Sequence, residues 1–99
     1  MIMGKVIGTV VSTQKDDQLD GFKLLVVRQV DMEMKPTKSY IVVVDAVGAG
    51  EGEIVLVATG SSARMTRVTK DKPVDAVAMA IVDKFEIEGK IIYDKSKGD

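Results

Sequence analysis

The chain has 99 residues, 45% hydrophobic and 29% charged, with 9 Gly and 2 Pro; it has the composition of a folded globular protein and is too short to bury two cores, so one domain over 1–99 is expected. A net charge of −1 and a pI near 5.4 leave no general cationic field, which argues against nucleic acid or an anionic membrane surface as partner. The absence of His and Cys removes the usual base of a Ser-His-Asp triad, every thiol nucleophile and nearly all zinc sites.

In chain order, four segments rich in β-branched residues read as strands: Ile2 to Thr13, Phe22 to Met32, Tyr40 to Val47 and Glu53 to Thr59. The polar stretch Gln14 to Gly21 ends in Asp20-Gly21 and reads as an exposed loop. Glu33 to Ser39 contains Pro36, which lacks a backbone donor, and is expected to be a hairpin turn. Gly48-Ala49-Gly50-Glu51-Gly52 joins strands three and four as a tight or crowded loop. Gly60 to Arg67 predicts one short helix capped by a serine. After the break at Lys70-Asp71-Lys72-Pro73, the segment Val74 to Phe85 is read as one more strand. Glu88-Gly89-Lys90 then turns into Ile91-Ile92-Tyr93, and the tail from about 94 to 99 is expected to fray.

Five to six strands with one short helix predict an all-β fold, a small closed barrel of the OB type, because closure removes exposed edges. Leu24 to Val27, Ile41 to Val44 and Ile54 to Val57 are unbroken apolar runs where a wetted barrel wall would alternate, so both faces of these strands need cover. A partner subunit supplies that cover most simply; the alternative is that the short helix and the terminal hairpin do so.

Little of the remaining chemistry points to catalysis. Asp16, Asp17, Asp45, Glu51, Glu53, Asp75 and Asp83 are scattered without a metal-binding cadence, so no metal and no cofactor is expected. Ser61-Ser62 has no base spaced to activate it. The glycine loop lacks a following Lys-Ser/Thr and runs into a strand, unlike a phosphate-binding loop. No apolar run approaches the ~20 residues of a membrane span, and Met1 to Lys5 lacks signal-peptide layout, so a cytoplasmic location is expected. The second reading, an OB-type nucleic-acid-binding module, needs aromatics set in a basic groove; Phe22, Tyr40, Phe85 and Tyr93 are not interleaved with a basic cluster.

Taken together, Gly8 to Lys15, Gly21 to Val27, Asp45 to Glu53, Val55 to Val57, Gly60-Ser61-Ser62-Ala63-Arg64, Pro73 to Ala76 and Ala80 to Asp83 resemble the EutN/CcmL family of bacterial microcompartment vertex proteins over nearly the whole chain. Asp-x-x-Gly-Ala-Gly followed by Gly-Ser-Ser-Ala-Arg is the most specific part, whereas Met65 and Glu86 to Asp99 are less typical. The resemblance implies a non-enzymatic shell protein, a homopentamer closing vertices among hexameric shell tiles. By the same analogy Gly48, Ala49 and Gly50 are placed near the five-fold axis or a subunit contact, and Ser61, Ser62, Ala63 and Arg64 at an inter-subunit contact.

Overall fold

The structure, a computed structural model, describes residues 1–97. Seven strands follow in order: β1 (Ile2–Val10), β2 (Leu24–Val30), β3 (Pro36–Asp45), β4 (Ile54–Thr59), β5 (Ala76–Ile81), β6 (Lys84–Ile87) and β7 (Lys90–Asp94). The first five close into a barrel in the order β1-β2-β3-β5-β4, and β6 and β7 form a separate two-stranded arm. All barrel pairings are antiparallel except the seam between β3 and β5, where Val44 pairs with Val77 and Asp45 with Ala78 in parallel. The remaining helical content is short 3-10 turns at Asp17–Leu19, Gly60–Arg64 and Lys95–Lys97.

The all-β barrel is as expected, with four local differences. Pro36 does not sit in the turn: it opens β3 opposite Val30, the one strand position where a missing N–H removes nothing from the ladder's interior. The hairpin turn is therefore confined to Asp31–Lys35, where the Asp31 carboxylate accepts from the Glu33 and Lys35 N–H groups. The segment Val74 to Phe85 is not one strand. It breaks at Val82-Asp83: the Val82 N–H makes the last bond to β4, at the Ile54 carbonyl, and the chain then turns out into the arm.

The tail differs too. Asp94 completes β7, and Lys95 is tied down twice, by its N–H to the Asp83 carbonyl and by its ammonium to Glu53. Gly98 and Asp99, the end of the stretch expected to fray, lie outside the described residues.

Three apolar clusters explain the unbroken runs. Val6, Leu25, Val27, Val43, Val55, Val57 and Ala78 fill the barrel interior. On the outer wall at one end, Val44, Ala58 and Val77 are covered by Ala63 and Val74, with Leu19 and Phe22 packed alongside. At the other end, Met3, Val30 and Ile54 are covered by Tyr93, with Phe85 and Met34 beside it. The chain's own turn and arm thus shield much of β4 and β5. Between these covered ends the outer side of β1 and β3 is left open, with Ile7, Tyr40 and Val42 exposed.

Candidate functional site

Two stretches carry the residues singled out above: the glycine loop after β3 and the turn after β4. In the loop, one oxygen of Asp45 accepts from three successive backbone donors, Val47 and Gly48 at 3.0 Å and Ala49 at 3.2 Å. Three N–H groups converge on a single acceptor only if the chain curls sharply, and Gly48 supplies the curl with φ +74°, a conformation that costs a residue with a Cβ. Ala49 then turns inward and is fully buried among the interior residues of the barrel. Its methyl is committed to this chain's own core, so only its backbone is left for a neighbour, and its carbonyl already accepts from Lys23.

Gly50 is held from the other side. Its N–H donates to Glu53 Oε1 at 2.6 Å, and the Glu53 N–H returns to the Gly50 carbonyl at 3.1 Å. The second carboxylate oxygen of Glu53 takes the Lys95 ammonium, so one side chain joins the glycine loop to the base of the arm. A Cβ added at Gly50 would meet nothing nearer than Glu53 Oε1 at 3.5 Å, ordinary contact. Within the chain the loop is tight by conformation at Gly48 rather than crowded at Gly50.

The turn at Gly60–Arg64 is a 3-10 helix, and no serine caps it. Ser62 instead donates its hydroxyl to the Thr59 carbonyl at 2.6 Å, because a turn this short offers a nearby free carbonyl rather than a row of helix N–H groups. Ser61, Ser62 and Arg64 are exposed, while Ala63 is fully buried. The turn is fastened from beneath by fully buried Thr69, whose hydroxyl donates to the Ala63 carbonyl at 2.5 Å and lies 2.5 Å from the Thr66 hydroxyl. Arg64 spends one donor on the Val74 carbonyl at 3.1 Å, which fixes the guanidinium against the barrel wall. The roles of Asp45, Glu53, Thr66 and Thr69 were not assigned from the sequence; an aspartate three residues before a glycine was the available signal for the first.

Hydrogen bonds from Lys95 and from the Gly50 N–H hold the Glu53 carboxyl below its ordinary 4.5, and the bond to Glu53 raises the Lys95 ammonium above its ordinary 10.5. The sign follows for each partner. A depressed carboxylate stabilises above its ordinary value and loses that contribution as pH falls through the lower folded value; a raised ammonium keeps its contribution until pH exceeds 10.5. The protection factors of amides over 90–97, with intrinsic exchange corrected for pH, are therefore expected to be flat from neutrality down to pH 4.5 and to fall below it, and Glu53→Gln is expected to show the lower protection at neutral pH. Equal exchange in the two proteins at pH 7 would show that the pair does not anchor the arm.

The aromatic residues do not share a groove. Phe22 packs at the end of the barrel beside Ala63, Phe85 and Tyr93 lie 6.5 Å apart at the base of the arm, and Tyr40 lies beneath Arg28 at 5.1 Å. Nothing in this arrangement favours the nucleic-acid reading.

Comparison with known proteins follows the same lines. A family model described as "Ethanolamine utilisation protein EutN/carboxysome" matches residues 1–83. The bacterial microcompartment shell vertex protein GrpN of Rhodospirillum rubrum is 52% identical over 86 residues, covering 87% of this chain and 97% of its own. The carboxysome shell vertex protein CcmL of Synechococcus elongatus is 45% identical over 95 residues, 96% of each chain. Among solved structures, Gloeobacter violaceus CcmL superposes with a TM-score of 0.93 at 40% identity, over 97% of this chain and 99% of that one. The GrpN structure, a pentameric microcompartment shell protein, superposes with a TM-score of 0.80 over 88% of this chain and all of its own.

Proposed function

The chain belongs to the EutN/CcmL family of microcompartment shell vertex proteins, and from that premise we propose how its residues hold a vertex together. It is a structural protein and not an enzyme: five copies form a ring in the shell of a bacterial microcompartment in the cytoplasm, at a vertex. The observation that carries this is the 52% identity to a protein whose solved form is a pentameric shell component. A sheet of six-sided tiles is flat, and it curves shut only where five-sided units replace six-sided ones. Hexameric shell proteins are accordingly the expected neighbours at the ring's outer edge.

Within the ring, Ser61, Ser62 and Arg64 form part of the contact between subunits, and Gly48 and Gly50 lie with the Ala49 backbone near the axis or a second contact. Support for the first comes from exposure on a rigid support: the turn is pinned by Thr69, and Arg64 has donors left after its bond to Val74. Support for the second is the absence of side chains at Gly48 and Gly50, which lets another backbone approach.

Light scattering tests the assembly, with a mass five times 10.7 kDa expected; a persistent monomer would contradict it. Arg64→Ala is expected to shift the sizing-column profile from rings to smaller species, whereas rings of unchanged size would remove Arg64 from the contact.

A further inference from the structure

A cyclic ring joins two different surfaces of the same chain, so each subunit needs a receiving face and an inserting one. The two ends of this barrel are unlike in that sense. Between the arm and the outer wall of β1 and β2 lies an apolar groove of about 780 Å³, lined by Ile7, Val30, Ile91 and Ile92. The arm that forms one bank pairs only with itself, and two strands alone are marginal in water unless something packs on them. Its own barrel covers the base through Tyr93 and Phe85, yet Ile91 remains 50% exposed. Charge on this groove is one-sided: Lys5, Arg28 and Lys97 against Asp94 alone, a net +2. Asp94 is further occupied by the Ser96 hydroxyl and N–H.

At the opposite end two loops project, each with a very exposed apolar residue. One follows β1 and bears Val11, 87% exposed; the other follows the Gly60–Arg64 turn and bears Met65, 83% exposed. Charge separates them. Residues 11–20 hold Asp16, Asp17 and Asp20 against Lys15, a net −2; Lys15 pairs with Asp20, one oxygen of Asp16 accepts from the Gln18 N–H, and Asp16 and Asp17 are both exposed. Residues 64–72 hold Arg64, Arg67, Lys70 and Lys72 against Asp71, a net +3, the same sign as the groove.

We infer that the groove between arm and barrel receives the acidic loop 11–20 of the neighbouring copy, Val11 seating beside Ile91 and Asp16 and Asp17 facing Lys5 and Lys97. The inference rests on the ring reading above and names the partner of one face. It also places Ser61 and Arg64 at the inserting end, since Leu19 and Phe22 pack against the same cluster that holds Ala63.

The chain contains no cysteine, so paired cysteines report proximity without background. In Val11→Cys/Ile91→Cys, mild oxidation is expected to give a ladder of covalent species ending at the pentamer on a non-reducing gel, and Met65→Cys/Ile91→Cys to stay uncross-linked. Asp16→Lys/Asp17→Lys is expected to raise the concentration at which rings dissociate by about tenfold or more, and added Lys5→Glu/Lys97→Glu to restore it. A pentameric mass with no Val11–Ile91 cross-link, or with the Met65–Ile91 cross-link instead, overturns this contact and leaves the ring standing. A monomeric mass for the unaltered protein overturns both.

Discussion

Gly4→Ala is expected to lower stability by about 2–3 kcal/mol, the usual cost of overfilling a packed site, and to lower the melting temperature by roughly 10–20 °C at matched protein concentration. Gly4 lies on β1 between Gln29 of β2 and Val55 of β4. A Cβ there would run into Val27 Cγ1 and stand 2.8 Å from the Arg28 carbonyl oxygen. The Val27 side chain is fully buried and the carbonyl belongs to the β2 ladder, so neither neighbour can step aside cheaply. Gly8, four residues along the same strand, is the control. A Cβ there meets nothing within 4 Å, and Gly8→Ala is expected to stay within about 0.5 kcal/mol of the parent. Thermal melts of the two variants side by side decide the matter, and equal losses would show a general cost of replacing glycine in β1 rather than a specific collision at residue 4.

Asp45→Ala is the second large effect. One carboxylate oxygen organises the whole start of the glycine loop, and deleting it leaves the Val47, Gly48 and Ala49 N–H groups without their acceptor. Hydrogen bonds to a charged acceptor contribute about 1.5–3 kcal/mol, and because the three share one oxygen they do not add; a loss of about 2–3 kcal/mol is expected. The damage should spread. Ala49 is a plug in the barrel interior, and once the curl relaxes its methyl no longer has to point inward. Asp45→Asn keeps an acceptor in place and is expected to lose only about 1 kcal/mol. Urea unfolding midpoints of the two variants test this, and identical values would mean that the loop is held by packing alone.

Strand content was legible because β-branched runs separated by turn residues are a local signal, and the barrel followed from the need to hide edges. Boundaries were less so. Pro36 reads as a turn residue by chemistry, yet an edge position at the head of β3 suits it equally well, and nothing in neighbouring residues distinguishes the two. Val74 to Phe85 reads as one strand because its apolar character hardly changes through Val82; the break falls where the partner strand β4 begins, at Ile54, so no further ladder is available beyond Val82. The terminal hairpin was legible from Glu88-Gly89-Lys90, but its docking on the barrel was hard to see for a related reason. Its anchors, Glu53 to Lys95 and Tyr93 on Met3 and Ile54, join residues some forty or more positions apart. It also lies beyond residue 83, where the match to the family ends.

For the candidate contacts, the sequence separated the motif residues from the rest but not their side chains from their backbones. Ala49 and Ala63 look like small surface residues placed for close approach, and both turn out to be fully buried in their own chain. Sequence spacing gives no direction for a side chain in an irregular turn, where neither the helical nor the strand period applies. Arg64 and the two serines, by contrast, are as exposed as an inter-subunit role requires.

The parallel junction of β3 with β5 rests on two residue pairs, Val44 with Val77 and Asp45 with Ala78. Bringing those residues together means closing a long stretch of chain, and only two pairs compensate, whereas the longer closure of β1 on β4 is offset by four. A hairpin such as β2–β3 is free to form early. With the fewest pairs of any barrel seam, this short join is where thermal breathing of the finished barrel is expected to start.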